Sequence, residues 1–373
     1  MSARIAVVGG GVIGLACAWE LSRDGHAVTV VAPAAGRDGA GWVAAGMLAP
    51  VTEAQFGESA LTALLLEGAG RWPAFAAELE AATGHDVGYD TSGTLAVAFD
   101  ASDRASLDDL LAYQHSLGLA AHRRSATECR QLVPALSPAL RSGIEVPGDH
   151  QVDNRALLGA LMAACLAGGV VFRQGTVRAV ERGPALRLDD GTALGAEVVV
   201  VAAGTGLPSV EGLAHAGLPP VRPVKGHILR LGPADASVTG PGRLLERTVR
   251  GLVRGRSVYL VPRRDGSVVV GATVEERGRD DAVRAGAVHE LLCDARAVVP
   301  GLDELELCEA AVGMRPATPD NTPCIGWSAL EGVLAAVGHY RSGILLAPLT
   351  AGAVADLVAH RAVAPMLEAL APG

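Results

Sequence analysis

Three glycines near the N-terminus have the spacing of a pyrophosphate-binding turn. Gly9, Gly11 and Gly14 stand in the run Gly9-Gly10-Gly11-Val12-Ile13-Gly14, which matches the pattern G-x-G-x-x-G. In this pattern the first glycine permits a tight turn, the second lets a ligand approach backbone N–H groups, and the third lets a helix pack against a strand. The N-terminus of that helix favours the two negative charges of a pyrophosphate. The run therefore predicts that the chain binds a dinucleotide.

The position that usually contacts the ribose lacks its carboxylate. An acidic residue normally ends the second strand, about 20 residues after the glycines, and accepts hydrogen bonds from the ribose hydroxyls. Here the corresponding residues are Val30, Val31, Ala32 and Pro33. We therefore expect backbone groups, or groups in the loop between residues 33 and 41, to contact the ribose.

The segments around the glycine turn alternate between strands and helices. The first unit comprises a strand at residues 4–8, a helix at 15–23 and a strand at 26–31. The same alternation returns later, with predicted helices from Asp153 to residue 165 and from 343 to 360, and strands at 170–172, 176–180 and 198–203. The intervening parts lack this alternation. They contain predicted helices over 58–82 and 281–298 and from Ser102 to 118, a strand at 93–99, and short alternating strands between 221 and 270.

These two patterns predict two domains, each built from separate pieces of the chain. We expect residues 1–50, 151–220 and 309–373 to form an α/β domain that binds the dinucleotide. Residues 51–150 and 221–308 are expected to form a second domain with short strands. The sequence shows no internal repeat and no low-complexity linker.

The composition excludes several other classes of protein. The chain has 373 residues, of which 50% are hydrophobic and 19% are charged, and its formal net charge is −9. This apolar content is too high for a disordered protein, and no apolar run approaches the roughly 20 residues of a membrane-spanning helix. No basic block indicates nucleic acid as a partner, and the five arginines between residues 243 and 256 are interpreted as a solvated strand and loop. The N-terminus has no leader-like pattern, so we expect a cytoplasmic protein without a membrane partner.

The cysteines do not indicate a metal or redox site. None of the six has CxxC or metal-type spacing, so we expect reduced, buried thiols and no bound metal. They are Cys17, Cys129, Cys165, Cys293, Cys308 and Cys324.

Several further segments, in order along nearly the whole chain, resemble one family. They are VVGGGVIGLACAWEL (7–21), AAGMLAP (44–50), PVKGHI (223–228), VYLVPRRDGSVVVGATVEE (258–276), GMRPATPDNTPCIG (313–326) and GHYRSGILLAP (338–348). The sequence resembles the D-amino-acid oxidase superfamily of FAD enzymes and, within it, the glycine oxidases of the thiamine-pathway type. The resemblance implies a Rossmann-like FAD-binding domain of the glutathione-reductase type and a mixed-sheet substrate domain.

The resemblance also implies which residues bind FAD. Val12 and Ile13 would lie at the pyrophosphate turn, and Val177 would hold the adenine through its backbone. Three residues would lie along the flavin, namely Ala45, Gly46 and Met47. The edge of the isoalloxazine ring would be surrounded by His339, Tyr340, Arg341, Ser342, Gly343, Ile344 and Leu345. A helix that begins near Ile344 would direct N–H groups at the negative charge of the reduced ring.

Three side chains are candidates for binding the substrate. By resemblance Arg315 binds the carboxylate of an amino acid, which suits a guanidinium because its planar fork forms two parallel hydrogen bonds. Arg341 would add a second positive charge beside the flavin, and the hydroxyl of Tyr259 would bind the same carboxylate. The alternatives are structural ion pairs for the two arginines and core packing for Tyr259.

The resemblance implies oxidation of glycine or of an N-substituted glycine. A hydride leaves Cα for flavin N5, the imine is hydrolysed to glyoxylate and ammonia or an amine, and O2 is reduced to H2O2. Val274 and Ser257 stand where relatives carry the larger Met and His. If these two side chains line the pocket, it has room for a larger N-substituent, and an N-alkyl glycine is as good a candidate substrate as glycine. Open alternatives are a D-amino-acid or secondary-amine dehydrogenase with an acceptor other than oxygen, and an N-alkylglycine oxidase of specialised metabolism. The resemblance also implies a homo-oligomer.

Overall fold

The computed structural model of the chain describes residues 2–37, 39–233 and 243–373. Within these ranges the strands are β1 Arg4–Val8, β2 Ala27–Ala32, β3 Met47–Leu48, β4 Thr94–Ala98, β5 His122–Ser125, β6 Ser142–Val146, β7 His150–Gln151, β8 Val171–Gln174, β9 Val177–Glu181, β10 Ala185–Leu188, β11 Ala193–Gly195, β12 Val198–Val201, β13 Arg222–Pro233, β14 Thr248–Val253, β15 Arg256–Pro262, β16 Val268–Gly271, β17 Leu305–Ala317, β18 Cys324–Trp327 and β19 Val333–Val337. The α-helices are α1 Val12–Arg23, α2 Gly39–Val43, α3 Ser59–Thr83, α4 Ala101–Ser116, α5 Ala126–Leu132, α6 Asn154–Ala167, α7 Ala285–Val298, α8 Gly343–Val358 and α9 Pro365–Glu368. Residues 234–242, part of the region predicted to form short strands, lie outside the described residues.

A six-stranded sheet carries the glycine turn. Its order is β18-β19-β12-β1-β2-β8, and all neighbouring strands are parallel except β18 and β19. β1 and β12 read RIAVV and VVVV, and such continuous apolar runs are typical of parallel strands that are covered on both faces. The glycine turn follows the carboxyl end of β1, which is the edge where parallel sheets bind ligands.

Two different layers cover this sheet. Helices α1, α3, α6 and α8 pack on one face through buried side chains such as Leu15, Trp72 and Leu161. The antiparallel sheet β11-β10-β9 covers the other face, where Leu186 packs in one cluster with Val199. Burial of each such side chain contributes about 1.5–3 kcal/mol. Both faces of β1 are thus closed to water, and its carboxyl end leads into the open cleft described below.

A second sheet of eight strands lies beside the first. Its order is β17-β13-β16-β15-β14-β4-β6-β5, and the pairing is antiparallel except between β14 and β4. α4 packs on this sheet through Leu111, and α7 packs through Leu291. β13 and β17 form the longest pair, with Val224 opposite Arg315. This sheet therefore carries Arg315, and also Tyr259 on β15.

Two segments lie with a different sheet from the one that the sequence indicates. β17 belongs to the eight-stranded sheet, although the sequence assigns residues 309–373 to the nucleotide domain, because β17 pairs with β13 along its length. α3 lies within residues 51–150, yet it packs on α6 and α8 over the six-stranded sheet. It does so because Leu64, Leu65 and Trp72 are buried in the core of that half.

Polar side chains cap the N-termini of three described helices, namely α4, α5 and α6. The carboxylate of Asp153 accepts a hydrogen bond from the N–H of Ala156 at 3.1 Å, which agrees with its predicted place at the start of α6. α4 begins earlier than predicted, because its cap is Asp100 and not Ser102. The carboxylate of Asp100 accepts from the N–H of Asp103 at 2.8 Å.

The cysteines are all free, but two of them are not buried as expected. Cys293 and Cys308 are exposed, while the buried ones are Cys17, Cys129, Cys165 and Cys324. Burial raises the pKa of Cys17 and of Cys165 to about 12, so both remain thiols.

Candidate active site

A cleft of about 670 Å³ connects the two sheets. Every site residue predicted from the sequence lines it except Gly14. Those that line it are Gly9, Gly11, Val12, Ile13, Ala45, Gly46, Met47, Val177, Tyr259, Arg315, His339, Tyr340, Arg341, Ser342, Gly343, Ile344 and Leu345. Ser257 and Val274 also line the cleft, whereas His227 lies outside its lining.

The glycine turn has room for a phosphate group where the pattern predicts it. Gly9 has φ +113°, and a Cβ there would collide with the carbonyl of Ala202. A Cβ on Gly14 would collide with the carbonyl of Gly9, so Gly14 packs the helix against the turn and does not face the cleft. A Cβ on Gly11 would meet no atom within 4 Å. Gly11 therefore leaves open space at the start of α1, and the turn fits the pyrophosphate of FAD.

The first turn of α1 offers hydrogen-bond donors to this space. Gly11 occupies the N-cap position and supplies no capping side chain, and Val12 and Ile13 line the cleft. Uncapped N–H groups at a helix start bind anions. At the ribose position Ala32 and Pro33 line the cleft together with Thr176, and no described carboxylate of β2 does so.

The segment 44–47 lies between the two sheets and is held by buried polar contacts. Gly46 has φ +77°, and a Cβ there would collide with the carbonyl of Val152. The carbonyl of Gly46 accepts from the N–H of Val152 at 2.8 Å. The guanidinium of Arg263, which is 6% exposed, donates to the carbonyl of Ala45 at 2.6 Å. These contacts fix the backbone that borders the expected flavin position.

The segment 339–345 makes a turn that leads into α8. Tyr340 adopts φ +47°, and its N–H donates to the carbonyl of Pro316 at 2.8 Å. The indole N–H of Trp72 on α3 donates to the carbonyl of Leu345 at 2.9 Å. Within the described residues no side chain caps α8. Its first N–H groups are therefore free to stabilise negative charge in the cleft.

His339 is a neutral side chain of this turn. It is 3% exposed, and its Nε2 lies 2.9 Å from the hydroxyl of Thr350. Burial lowers the pKa of His339 from 6.5 to about 3. It therefore remains uncharged throughout the physiological range and does not add a positive charge beside the flavin position.

The buried state of His339 predicts a pH dependence of stability. Between pH 6.5 and about 3 the unfolded chain binds a proton at this residue and the folded chain does not. The stabilisation from this group is therefore complete above pH 6.5 and is lost on acidification by about 1.4 kcal/mol per pH unit. We expect the His339→Gln variant to lose this part of the slope when free energies of unfolding in urea are compared between about pH 7 and pH 5. Parallel pH curves for the two proteins would contradict the assignment.

The side chains of Arg315 on β17 and Tyr259 on β15 approach each other in the cleft, although β13 and β16 lie between their strands. The guanidinium of Arg315 lies against Gly226, where an added Cβ would stand 2.7 Å from its Cζ. One of its nitrogens donates to the carbonyl of Thr273 at 3.1 Å. Burial raises the pKa of Tyr259, although the charges of Arg315 and Arg250 oppose the shift. Tyr259 is therefore a protonated hydroxyl that can donate to a carboxylate.

A third guanidinium, which the sequence interpretation missed, also faces the cleft. Arg250 is only 16% exposed and forms an ion pair with Glu53, so the interpretation of residues 243–256 as a solvated face is wrong for it. Glu53 also pairs with Arg341 at 3.3 Å. Burial alone raises the pKa of Glu53, but Arg250, Arg341 and Arg315 outweigh it and hold the pKa below its ordinary value. Glu53 is thus an ionised link between two arginines.

The register of the strands explains why Arg250 points inward. Arg250 on β14 stands opposite Tyr259 on β15, and cross-strand partners share one face of a sheet. The sequence of β14 does contain a signal for this direction. Val249 and Val253 are buried on the other face of the strand, so the alternation of side chains places Arg250 on the face toward the cleft.

Comparison with known proteins decides the family. The model of the family described as "DAO: FAD dependent oxidoreductase" matches residues 4–357. The chain belongs to this family. FAD is therefore its cofactor, as expected, and the chain is an FAD-dependent oxidoreductase.

Relatives of the same family resemble the chain over its whole length. It is 34% identical to the bifunctional protein ThiO/ThiG of Trichormus variabilis over 99% of this chain but only 54% of that protein. The chain thus spans about half the length of this relative. It is similar to the crystal structure of glycine oxidase from Geobacillus kaustophilus, with a TM-score of 0.90, 31% identity and coverage of 100% and 98% of the two chains. It is also similar to iminodiacetate oxidase from Chelativorans sp. BNC1, with a TM-score of 0.87, 27% identity and 99% coverage of both chains.

These comparisons confirm the predicted fold class and the predicted resemblance to glycine oxidases. None of the helices in the described ranges combines the length and the apolar character that crossing a membrane requires.

Proposed function

We propose that the chain oxidises the Cα–N bond of glycine or of an N-substituted glycine. The observation that carries this proposal is the guanidinium of Arg315 beside the hydroxyl of Tyr259, in the same cleft as the glycine turn. A substrate carboxylate bound there by a bidentate guanidinium is held in one orientation. Orientation of a bound reactant is a large part of catalysis in such a site.

Each polar residue has a role in the proposed reaction. Arg315 and Tyr259 bind the carboxylate, and Arg341 holds positive charge at the turn before α8. When bound, FAD supplies the two-electron acceptor for the hydride of Cα. We assign no nucleophile and no general base among these three residues, and the proposed substrate is the uncharged amine. The imine product is hydrolysed by water to glyoxylate and ammonia or an amine.

Glu53 controls the charge of the cleft. Three guanidiniums without an anion would repel one another, and Glu53 pairs with Arg250 and with Arg341. Asp149 lies behind this pair, where its carboxylate accepts from the N–H of Thr52 at 2.8 Å and so fixes the loop that carries Glu53. Arg315 keeps its guanidinium free of a carboxylate partner among the described residues. It is therefore the arginine that is available to a substrate.

The products test the proposed reaction. We would incubate the holoenzyme with glycine, sarcosine, N-ethylglycine, D-alanine and D-proline, and measure glyoxylate, amine, oxygen uptake and peroxide. The proposal expects glyoxylate and an amine in equal amounts from the glycine derivatives. Turnover confined to the D-amino acids would replace it with the D-amino-acid alternative. Turnover with an artificial acceptor but without oxygen uptake would identify a dehydrogenase.

The cleft favours N-substituted glycines as a second candidate substrate class. Ser257 and Val274 line it, and both side chains are smaller than the His and Met expected of relatives, so they leave space in the cleft. The similarity to iminodiacetate oxidase, named for an N-substituted glycine, agrees with this candidate.

Refilling the space tests this candidate. The double variant Ser257→His, Val274→Met is expected to lower kcat/KM for N-ethylglycine about tenfold relative to glycine, since the loss of room for one or two methylenes costs about 1–3 kcal/mol. Initial rates with the two substrates measure this ratio. An unchanged ratio would show that neither side chain borders the N-substituent.

The proposal also includes the compartment, the electron acceptor, the oligomeric state and the roles of the two halves. The six free cysteines fit a reducing compartment such as the cytoplasm. Oxygen as the acceptor and a homo-oligomeric state are proposed from the resemblance to glycine oxidases. The half built on the six-stranded sheet is proposed to bind FAD, and the half built on the eight-stranded sheet is proposed to bind the substrate.

A further inference from the structure

A buried lysine lies on β13, and its backbone carbonyl is 3.4 Å from the guanidinium of Arg315. The side chain of Lys225 on β13 has no exposed surface. Its ammonium donates to the carboxylate of Asp280 at 3.0 Å and to the carbonyl of Ala282 at 2.7 Å. A buried ammonium without such partners would be strongly unfavourable. The pairing therefore ties β13 to residues 273–284, which we call the border segment because Val274 and Arg279 of this segment line the cleft.

Two backbone hydrogen bonds strengthen the same tie. The N–H of Lys225 donates to the carbonyl of Glu275 at 2.9 Å, and the N–H of Glu275 donates to the carbonyl of Lys225 at 3.0 Å. The border segment therefore pairs with β13 at one further position, Lys225 opposite Glu275, beyond the end of the pairing between β13 and β16.

His227 adds a side-chain link two residues along β13. The N–H of Arg284 donates to its Nε2 at 3.0 Å, so Nε2 is the acceptor and Nδ1 carries the proton. Nδ1 lies 2.9 Å from the carboxylate of Glu275 and 3.0 Å from the hydroxyl of Thr273. His227 thus connects both ends of the border segment to the strand.

The guanidinium of Arg315 contacts one backbone carbonyl on each of the two pieces that the tie joins. A nitrogen of Arg315 donates to the carbonyl of Thr273 at 3.1 Å and approaches the carbonyl of Lys225 at 3.4 Å. One carbonyl belongs to the border segment and the other belongs to β13. The guanidinium therefore keeps its place only while these two pieces of backbone stay in register.

We propose that Lys225 is a positioning residue for Arg315, because its ion pair with Asp280 holds the border segment against β13 and so fixes the two carbonyls that orient the guanidinium. This inference rests on the proposed function, in which Arg315 binds the substrate carboxylate. Under this inference Lys225 and its partner Asp280 both influence the substrate site, although neither side chain lines the cleft.

A double-mutant cycle with two readouts tests the inference. We would prepare Lys225→Met, Asp280→Ala and the double variant as holoenzymes, and titrate each with acetate while following the flavin absorption spectrum. Each single variant is expected to bind acetate about tenfold more weakly, since small displacements of a binding group cost factors of ten to a hundred. The double variant is expected to be no weaker than the single variants, because both act through one ion pair. Trypsin is expected to cleave the border segment after Arg277 or Arg279 faster in all three.

The controls separate failure of the inference from failure of the proposed function. Arg284→Ala removes the exposed second partner of Asp280, which lies 2.9 Å from it, and is expected to change acetate affinity less than about twofold. If Arg315→Ala binds acetate as tightly as the unmodified protein, the proposed function fails. If Arg315→Ala loses binding while Lys225→Met and Asp280→Ala bind within about twofold of the unmodified protein, only the positioning role is overturned. Additive losses of acetate affinity in the double variant would also overturn the positioning role. If Lys225→Met does not fold, the acetate affinity of Asp280→Ala alone decides whether Lys225 has this role.

Discussion

The Arg315→Ala variant is expected to lose at least about a hundredfold in kcat/KM for glycine while it still binds FAD. Truncating one partner of a desolvated charge pair costs about 3 kcal/mol or more, which corresponds to two decades in rate. The loss should appear mainly as weaker binding, because the carboxylate is bound in the ground state as well as in the transition state. Steady-state kinetics with glycine and the FAD content of the purified variant measure both parts.

A surface arginine provides the matched control for this variant. Arg296 forms an ion pair with Asp303 in which its side chain is 67% exposed, and it is not one of the residues that line the cleft. Arg296→Ala is expected to keep its activity, since exposed ion pairs contribute about 0–1 kcal/mol. Equal activity of Arg315→Ala and Arg296→Ala would remove Arg315 from the substrate site.

The Gly11→Leu variant is expected to fold normally and to bind FAD about tenfold to a hundredfold more weakly. Gly11 has φ −78°, which any residue adopts, and an added Cβ meets no atom within 4 Å, so the fold is not strained. The space that the side chain would enter is the space assigned to the pyrophosphate, and forcing extra methylenes into a filled site costs about 1–3 kcal/mol. Titration of the apoprotein with FAD, followed by flavin fluorescence, measures the affinity.

A second glycine of the same half separates loss of space from loss of stability. Gly159 lies on the exposed side of α6 and also has no atom within 4 Å of an added Cβ. Gly159→Leu is expected to bind FAD with the affinity of the unmodified protein. If Gly11→Leu retained full affinity, the pyrophosphate would have to bind elsewhere.

The parts of the site that depend on local backbone chemistry could be predicted from the sequence. A side chain at Gly9 or Gly14 would collide with a backbone carbonyl, and the absence of one at Gly11 leaves open space. The spacing of the motif already implies these three requirements. The carboxylate-binding candidates, Arg315 and Tyr259, came from the resemblance, and the structure brings both to one cleft.

The parts that depend on pairing between distant strands could not be predicted in this way. Arg250 stands among five arginines, and only its register opposite Tyr259 shows that it faces the cleft. The place of β17 depends on its pairing with β13, although residues 234–304 separate the two strands in the sequence, and no local signal records such a pairing. Lys225 belongs to the segment PVKGHI, but nothing in that segment shows that its ammonium is buried against Asp280, which lies 55 residues further along the chain.

The reduction of bound flavin without oxygen tests the central claim most directly. The holoenzyme is mixed anaerobically with glycine, sarcosine or N-ethylglycine, and the absorbance of oxidised flavin is followed in time. We predict that at least one of these substrates bleaches the flavin, and that the flavin of Arg315→Ala is reduced far more slowly at the same substrate concentration. Flavin that dithionite reduces but that stays oxidised with every glycine derivative would contradict it.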